Sequence, residues 1–91
     1  MFMKWGDKIY IDDSVAWEYF RDYFFDERLV KKCMARYYER EGEIYRKLIK
    51  EFGSLQKAWE EYEYGNRERV EKIFYEYLEQ IVEEVEEELY E

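Results

Sequence analysis

Histidine, proline and threonine are missing from this chain of 91 residues; asparagine occurs once and glutamine twice. Without histidine there is no imidazole base, no His-based triad and no Glu-x-x-His metal helix. The single cysteine, Cys33, excludes an intrachain disulfide and a cysteine metal cluster, so it is expected to pack as a small hydrophobe. No Gly-x-Gly-x-x-Gly or Gly-Lys-Ser/Thr loop is present to hold phosphate. No apolar run approaches the roughly 20 residues of a membrane span. Lys4, Asp7 and Lys8 break up the first apolar residues, which is unlike a signal peptide. These absences predict a soluble cytoplasmic protein without catalysis or cofactor. Glu residues recur at helical spacing near the C-terminus, where oxygen ligands could suit Mg²⁺ or Ca²⁺. A solvated Glu face explains the same spacing, and no metal is expected.

What the chain does contain is charge and aromatic area. Charged residues make up 43% and aromatics 22%, with eleven Tyr against six Phe. At this length one domain over residues 1–91 is expected, with a modest core that large rings help to fill. Many Glu, Lys and Arg beside few thermolabile amides match a thermophile protein. Small viral and plasmid proteins of thermophiles could work as acidic inhibitors of a basic partner.

Residues 1–11 stand apart. Phe2-Met3-Lys4-Trp5 and Lys8-Ile9-Tyr10-Ile11 flank Gly6-Asp7, the pattern of a two-residue β-hairpin with Gly at the positive-φ position. Opposed pairs would be Trp5 with Lys8 and Phe2 with Ile11. A lone ribbon of two strands is marginal, so it should lie on the helices or pair with another chain. A single extended arm is the alternative.

The remainder reads as helix over 13–25, 27–51, 55–64 and 67–90. Asp12, Asp13, Ser14, Asp26 and Ser54 are candidate caps; Gly53 and Gly65-Asn66 are stops. In the second helix Leu29, Val30, Cys33, Tyr37, Ile44, Leu48 and Phe52 share an arc of about 140° at 100° per residue. The stripe keeps phase across Gly42, favouring one helix, although Glu39 to Glu43 offers no apolar residue. In the last helix Val70, Ile73, Phe74, Tyr77, Leu78, Ile81, Val82, Val85 and Leu89 cover about half the circumference. Ile73, Phe74, Tyr77, Leu78 and Ile81 are its expected buried centre. The fold class is mainly α: a small bundle of three to five helices with an N-terminal hairpin or arm.

Charge is distributed unevenly. From Glu76 onwards there are eight Glu and no Lys or Arg. Glu79–Glu83, Glu83–Glu87, Glu84–Glu88 and Glu87–Glu91 are like-charge pairs at i,i+4. Glu86, Glu87, Glu88 and Glu91 also sit at the negative end of the helix dipole. Local energetics therefore oppose the helix that periodicity predicts, a conflict that can mark a functional surface. Glu76, Glu79, Glu83, Glu86 and Glu87 are the candidate partner-binding residues, presented to a basic protein as an inhibitor's imitation of a phosphate row. Lys32, Arg36, Arg40, Lys47 and Lys50, interleaved with Tyr37, Tyr38 and Tyr45, form a strip on the second helix. It is either a nucleic-acid contact or a set of salt bridges to the last helix. A net charge of −9 disfavours nucleic acid. The many Tyr and the broad apolar arc of the last helix suggest a homodimer.

Leu48-Ile49-Lys50-Glu51-Phe52-Gly53-Ser54-Leu55-Gln56-Lys57-Ala58-Trp59 resembles helix-turn-helix segments of the Phe-Gly-Ser-x-x-x-Ala type, as in small repeats associated with homing endonucleases. The resemblance implies a DNA-binding regulator with residues 55–64 as its recognition helix. The chain departs from that role in carrying Glu60, Glu61 and Glu63 against only Lys57, the wrong sign for a helix between phosphates. The expected function is a non-catalytic acidic protein-binding module or regulator, with nucleic-acid regulator or structural subunit of an assembly as alternatives.

Overall fold

Gly6 is where the chain first turns back on itself. The structure is a computed structural model describing residues 1–90; Glu91, and with it the Glu87–Glu91 pair, lies outside the described residues. Strands β1 (Phe2–Trp5) and β2 (Lys8–Ile11) pair antiparallel in the expected register, Phe2 opposite Ile11 and Trp5 opposite Lys8. Gly6 has φ of 62° and Asp7 is not positive, the requirement of a type II′ turn. The Asp12 amide donates to the Met1 carbonyl at 2.6 Å, extending the ladder. Ile9 and Ile11 are buried, while Met3, Trp5 and Tyr10 point to solvent. The hairpin therefore forms, rather than an extended arm.

Helix α1 (Ser14–Tyr23) is shorter than 13–25. Asp13 makes no side-chain cap; the Asp12 carboxylate instead accepts the Ser14 amide at 3.0 Å. Past Phe24 the backbone is extended, and Phe25 is left fully exposed. Helix α2 (Glu27–Phe52) is continuous through Gly42 and capped by Asp26, whose carboxylate accepts the Arg28 amide. Across the break in its apolar stripe Glu39, Gly42 and Glu43 are exposed, while Arg40, at a stripe position, is half-buried and its guanidinium pairs with Glu84.

Helices α3 (Leu55–Tyr64) and α4 (Arg67–Leu89) follow two different stops. Gly53 has φ of 97°, a left-handed end that favours glycine, and Ser54 caps α3 through the Lys57 amide at 3.1 Å. Gly65 is not left-handed. An added Cβ there would meet the Glu61 carboxylate at 2.9 Å and push it aside. That carboxylate accepts the Asn66 amide, and Asn66 in turn caps α4 through Arg69.

A single core joins Phe20 of α1, Tyr37, Ile44 and Leu48 of α2, Ala58 of α3, and Phe74, Leu78 and Ile81 of α4. Val70, Phe74, Leu78, Ile81, Val82 and Val85 are buried, whereas Ile73 and Tyr77 are only half-buried. The buried arc of α4 is thus rotated by about 60° from its expected centre, placing those two at its rim. The arc that suggested a homodimer is spent on the chain's own core. Helices α2 and α4 run antiparallel, as Arg69 reaches Glu51 at one end and Lys32 reaches Glu88 at the other. The molecule measures 42 × 22 × 21 Å. Among the described residues no helix is long and apolar enough to cross a membrane.

Candidate functional site

The conflict in α4 is resolved along its seam with α2. Glu84 and Glu88 stand one turn apart on the edge of the buried arc. Arg36 bridges both, at 3.4 Å to Glu84 and in direct contact with Glu88. Arg40 pairs with Glu84 as well, and Lys32 with Glu88 at 3.1 Å. The Arg36 and Arg40 side chains are 27% exposed, so these contacts are partly shielded from solvent. The like-charge pair Glu84–Glu88 is therefore neutralised by the neighbouring helix. Lys32 and Arg36 also supply the cations that the last turn of α4 lacks in its own sequence.

The basic strip is accordingly divided. Lys32, Arg36 and Arg40 face α4 and are occupied. Lys47 pairs with Glu51 on its own helix at 3.2 Å, and Lys50 has no carboxylate partner among the described residues. The strip does not come together as an open cationic surface.

The outward face of α4 is different. Glu76, Glu79, Glu83 and Glu87 form no ion pair among the described residues. Glu76, Glu79, Gln80 and Glu83 line a shallow depression of about 280 Å³. Glu86 accepts a hydrogen bond from the Tyr23 hydroxyl of α1, which raises the Tyr23 pKa above its ordinary value. Burial, with Glu79 and Glu83 adding to it, raises Tyr19 in the same way. The neutral tyrosines add no charge, so the open carboxylates alone set the negative sign of this face. No group of three or more Asp, Glu or Cys among the described residues is arranged to hold a metal ion.

Ala58 is fully buried between α3 and its neighbours, and Ser54 caps α3. The outer face of α3 presents Glu60 and Glu63 beside Lys57. A larger cleft of about 450 Å³ at this end, lined by Phe52, Lys57, Glu60, Glu61, Tyr64 and Arg69, carries both signs of charge.

Sequence reasoning missed that Glu84 and Glu88 belong to the seam. The signal was available: on a helical wheel both fall beside the apolar arc, whereas Glu76, Glu79, Glu83 and Glu87 fall on the far side. It also passed over the outer face of the hairpin, where alternation places Met3, Trp5 and Tyr10 together. No protein-family model matches the chain, and neither does any curated protein or solved structure.

Proposed function

We propose that the chain is a non-catalytic acidic module that binds a basic macromolecular partner through Glu76, Glu79, Glu83, Glu86 and Glu87. The observation that carries this reading is the partition of the α4 carboxylates. Those needed by the fold, Glu84 and Glu88, have cationic partners; those on the outward face have none among the described residues. Carboxylates repeated along a rigid helix present a row of negative charge, the complement of a groove that receives a phosphate backbone. Occupying such a groove would make the chain an inhibitor. Long-range attraction between opposite charges would speed the encounter, and added salt would slow it.

The test compares two variants of equal charge. One carries Glu76, Glu79, Glu83 and Glu87 changed to Gln; the other carries Glu18, Glu39, Glu43 and Glu63 changed to Gln. Capture of basic proteins from the native host should fail with the first variant and persist with the second. Equal loss in both would reduce the interaction to net charge and end the proposal.

A further inference from the structure

The β-hairpin leaves one edge open. In an antiparallel ribbon, successive pairs alternate between hydrogen-bonded and non-hydrogen-bonded. The Asp12 to Met1 bond marks Met1 and Asp12 as a bonded pair, which makes Met3–Tyr10 and Trp5–Lys8 bonded as well. Phe2, Lys4, Ile9 and Ile11 therefore aim their backbone N–H and C=O groups away from the ribbon. The Ile11 amide confirms this phase, since it donates outward to the Tyr45 hydroxyl of α2 at 2.8 Å. On the β2 side, Tyr45 thus covers Ile11, and Ile9 is buried. On the β1 side, the amides and carbonyls of Phe2 and Lys4 have no partner among the described residues.

We infer that this β1 edge pairs antiparallel with the β1 edge of a second copy, closing two hairpins into one four-stranded sheet. Strand β1 is its own complement under a two-fold axis. The register that uses every free group sets Phe2 opposite the second copy's Lys4 and Met3 opposite the second copy's Met3. It forms four backbone hydrogen bonds and keeps the two Lys4 residues from facing each other. Centring the axis on Lys4 would oppose like charges directly.

Three observations choose a second copy over another occupant. Among the described residues the β2 edge is covered at Ile11 by Tyr45 and buried at Ile9, so pairing stops at two and does not grow into a fibre. The hairpin carries two basic residues, Lys4 and Lys8, against one acidic, Asp7. It packs on α3 and the C-terminal half of α2, through Phe2–Tyr62, Lys4–Trp59 and Tyr45, away from the acidic end of α4. Two copies of charge −9 therefore meet through a locally basic ribbon, away from the Glu-rich end of α4. Finally, pairing brings the exposed Met3 residues into contact and makes Met3, Trp5 and Tyr10 of both copies one apolar surface. So short an edge gives an interface at the small end of the range, hence a transient dimer with a Kd of roughly 10 μM to 1 mM.

Sedimentation equilibrium from about 10 μM to 1 mM protein should show reversible monomer–dimer exchange. Lys4→Pro removes the outward-facing amide, together with the Lys4–Trp59 contact, and leaves the hairpin's own ladder intact. It should weaken dimerisation at least tenfold with no loss of helical signal, and Met3→Lys should do the same by placing like charges on the axis. In a Cys33→Ala background, Met3→Cys should cross-link to a disulfide dimer under mild oxidation, and Tyr10→Cys, two strands from its mate, should not. A chain that stays monomeric at 1 mM overturns the inference, as does a dimer unaffected by Lys4→Pro and Met3→Lys. Binding of a single-stranded oligonucleotide to the Trp5 and Tyr10 face of a monomer would also overturn it.

Discussion

The two sides of α4 are built from the same residue type and do opposite things. On the side turned toward α2, Glu84 and Glu88 close the rim of the core by holding Arg36, Arg40 and Lys32. On the side turned to solvent, Glu76, Glu79, Glu83 and Glu87 meet no cation among the described residues and repel one another. The lesson is that a run of glutamates has no energetic meaning until its position around the helix is known. A carboxylate near the apolar arc acts as a clasp; one opposite it is a surface charge.

The largest expected effect lies beneath the clasp. Phe74 is fully buried and meets Tyr37 edge-on at a centroid distance of 6.2 Å. Phe74→Ala should cost about 3–5 kcal/mol in denaturant unfolding. A cost below about 1 kcal/mol would mean that α4 is not anchored where the structure places it.

The clasp itself comes next. Glu84→Gln with Glu88→Gln leaves Arg36 and Arg40 half-buried without a carboxylate, and should destabilise by about 1–3 kcal/mol. Glu79→Gln, Glu83→Gln, Glu86→Gln and Glu87→Gln together should leave the melting temperature unchanged or slightly higher, by a few tenths of a kcal/mol per relieved pair. If the two sets behave alike, the comparison between the sides collapses.

Alkaline pH probes the same core by titration. Burial pushes the Cys33 thiol from 9.0 up to about 11, and burial is also the main reason the Tyr37 phenol is raised. Both groups are neutral when protonated and hold their protons more tightly folded than unfolded. Their contribution is complete below the unfolded pKa and is lost as pH rises through the folded one. Stability should begin to fall above pH 9, the unfolded thiol value, and fall through about pH 11. Cys33→Ala should remove the first part of that fall, and melting temperatures at stepped pH would show whether it does.

The smallest effect concerns one atom. The Tyr37 hydroxyl is buried without a hydrogen-bond partner. Tyr37→Phe should therefore be neutral or stabilising by up to about 1 kcal/mol, where loss of a satisfied hydroxyl would destabilise.

How much of this could be read from residues alone depends on the range of the interaction. The hairpin register follows from Gly6-Asp7, and three helix starts follow from Asp26, Ser54 and Asn66, because turns and caps act within a few residues. The continuity of α2 was legible in the phase shared by Tyr37 and Ile44. The rotation of the α4 arc that leaves Ile73 and Tyr77 at the rim was not, since it depends on where α1 and α2 lie. Gly65 ends α3 as expected, though without a left-handed turn; the nearness of the Glu61 carboxylate to it was not legible. At the candidate site, the excess of Glu was plain in the sequence. Which carboxylates were already occupied depended on α2.

The Tyr45 hydroxyl gives the hairpin a private gauge. The Ile11 amide lies outside the β ladder and donates instead to that phenol, across 34 residues of chain. Ladder amides such as Tyr10 exchange their hydrogens when the ribbon itself opens; Ile11 exchanges when the intact ribbon lifts off α2. The ratio of the two rates measures docking separately from folding of the ribbon. Tyr45→Phe should erase the difference while leaving the Tyr10 rate in place. Two amides one residue apart thus report two different motions.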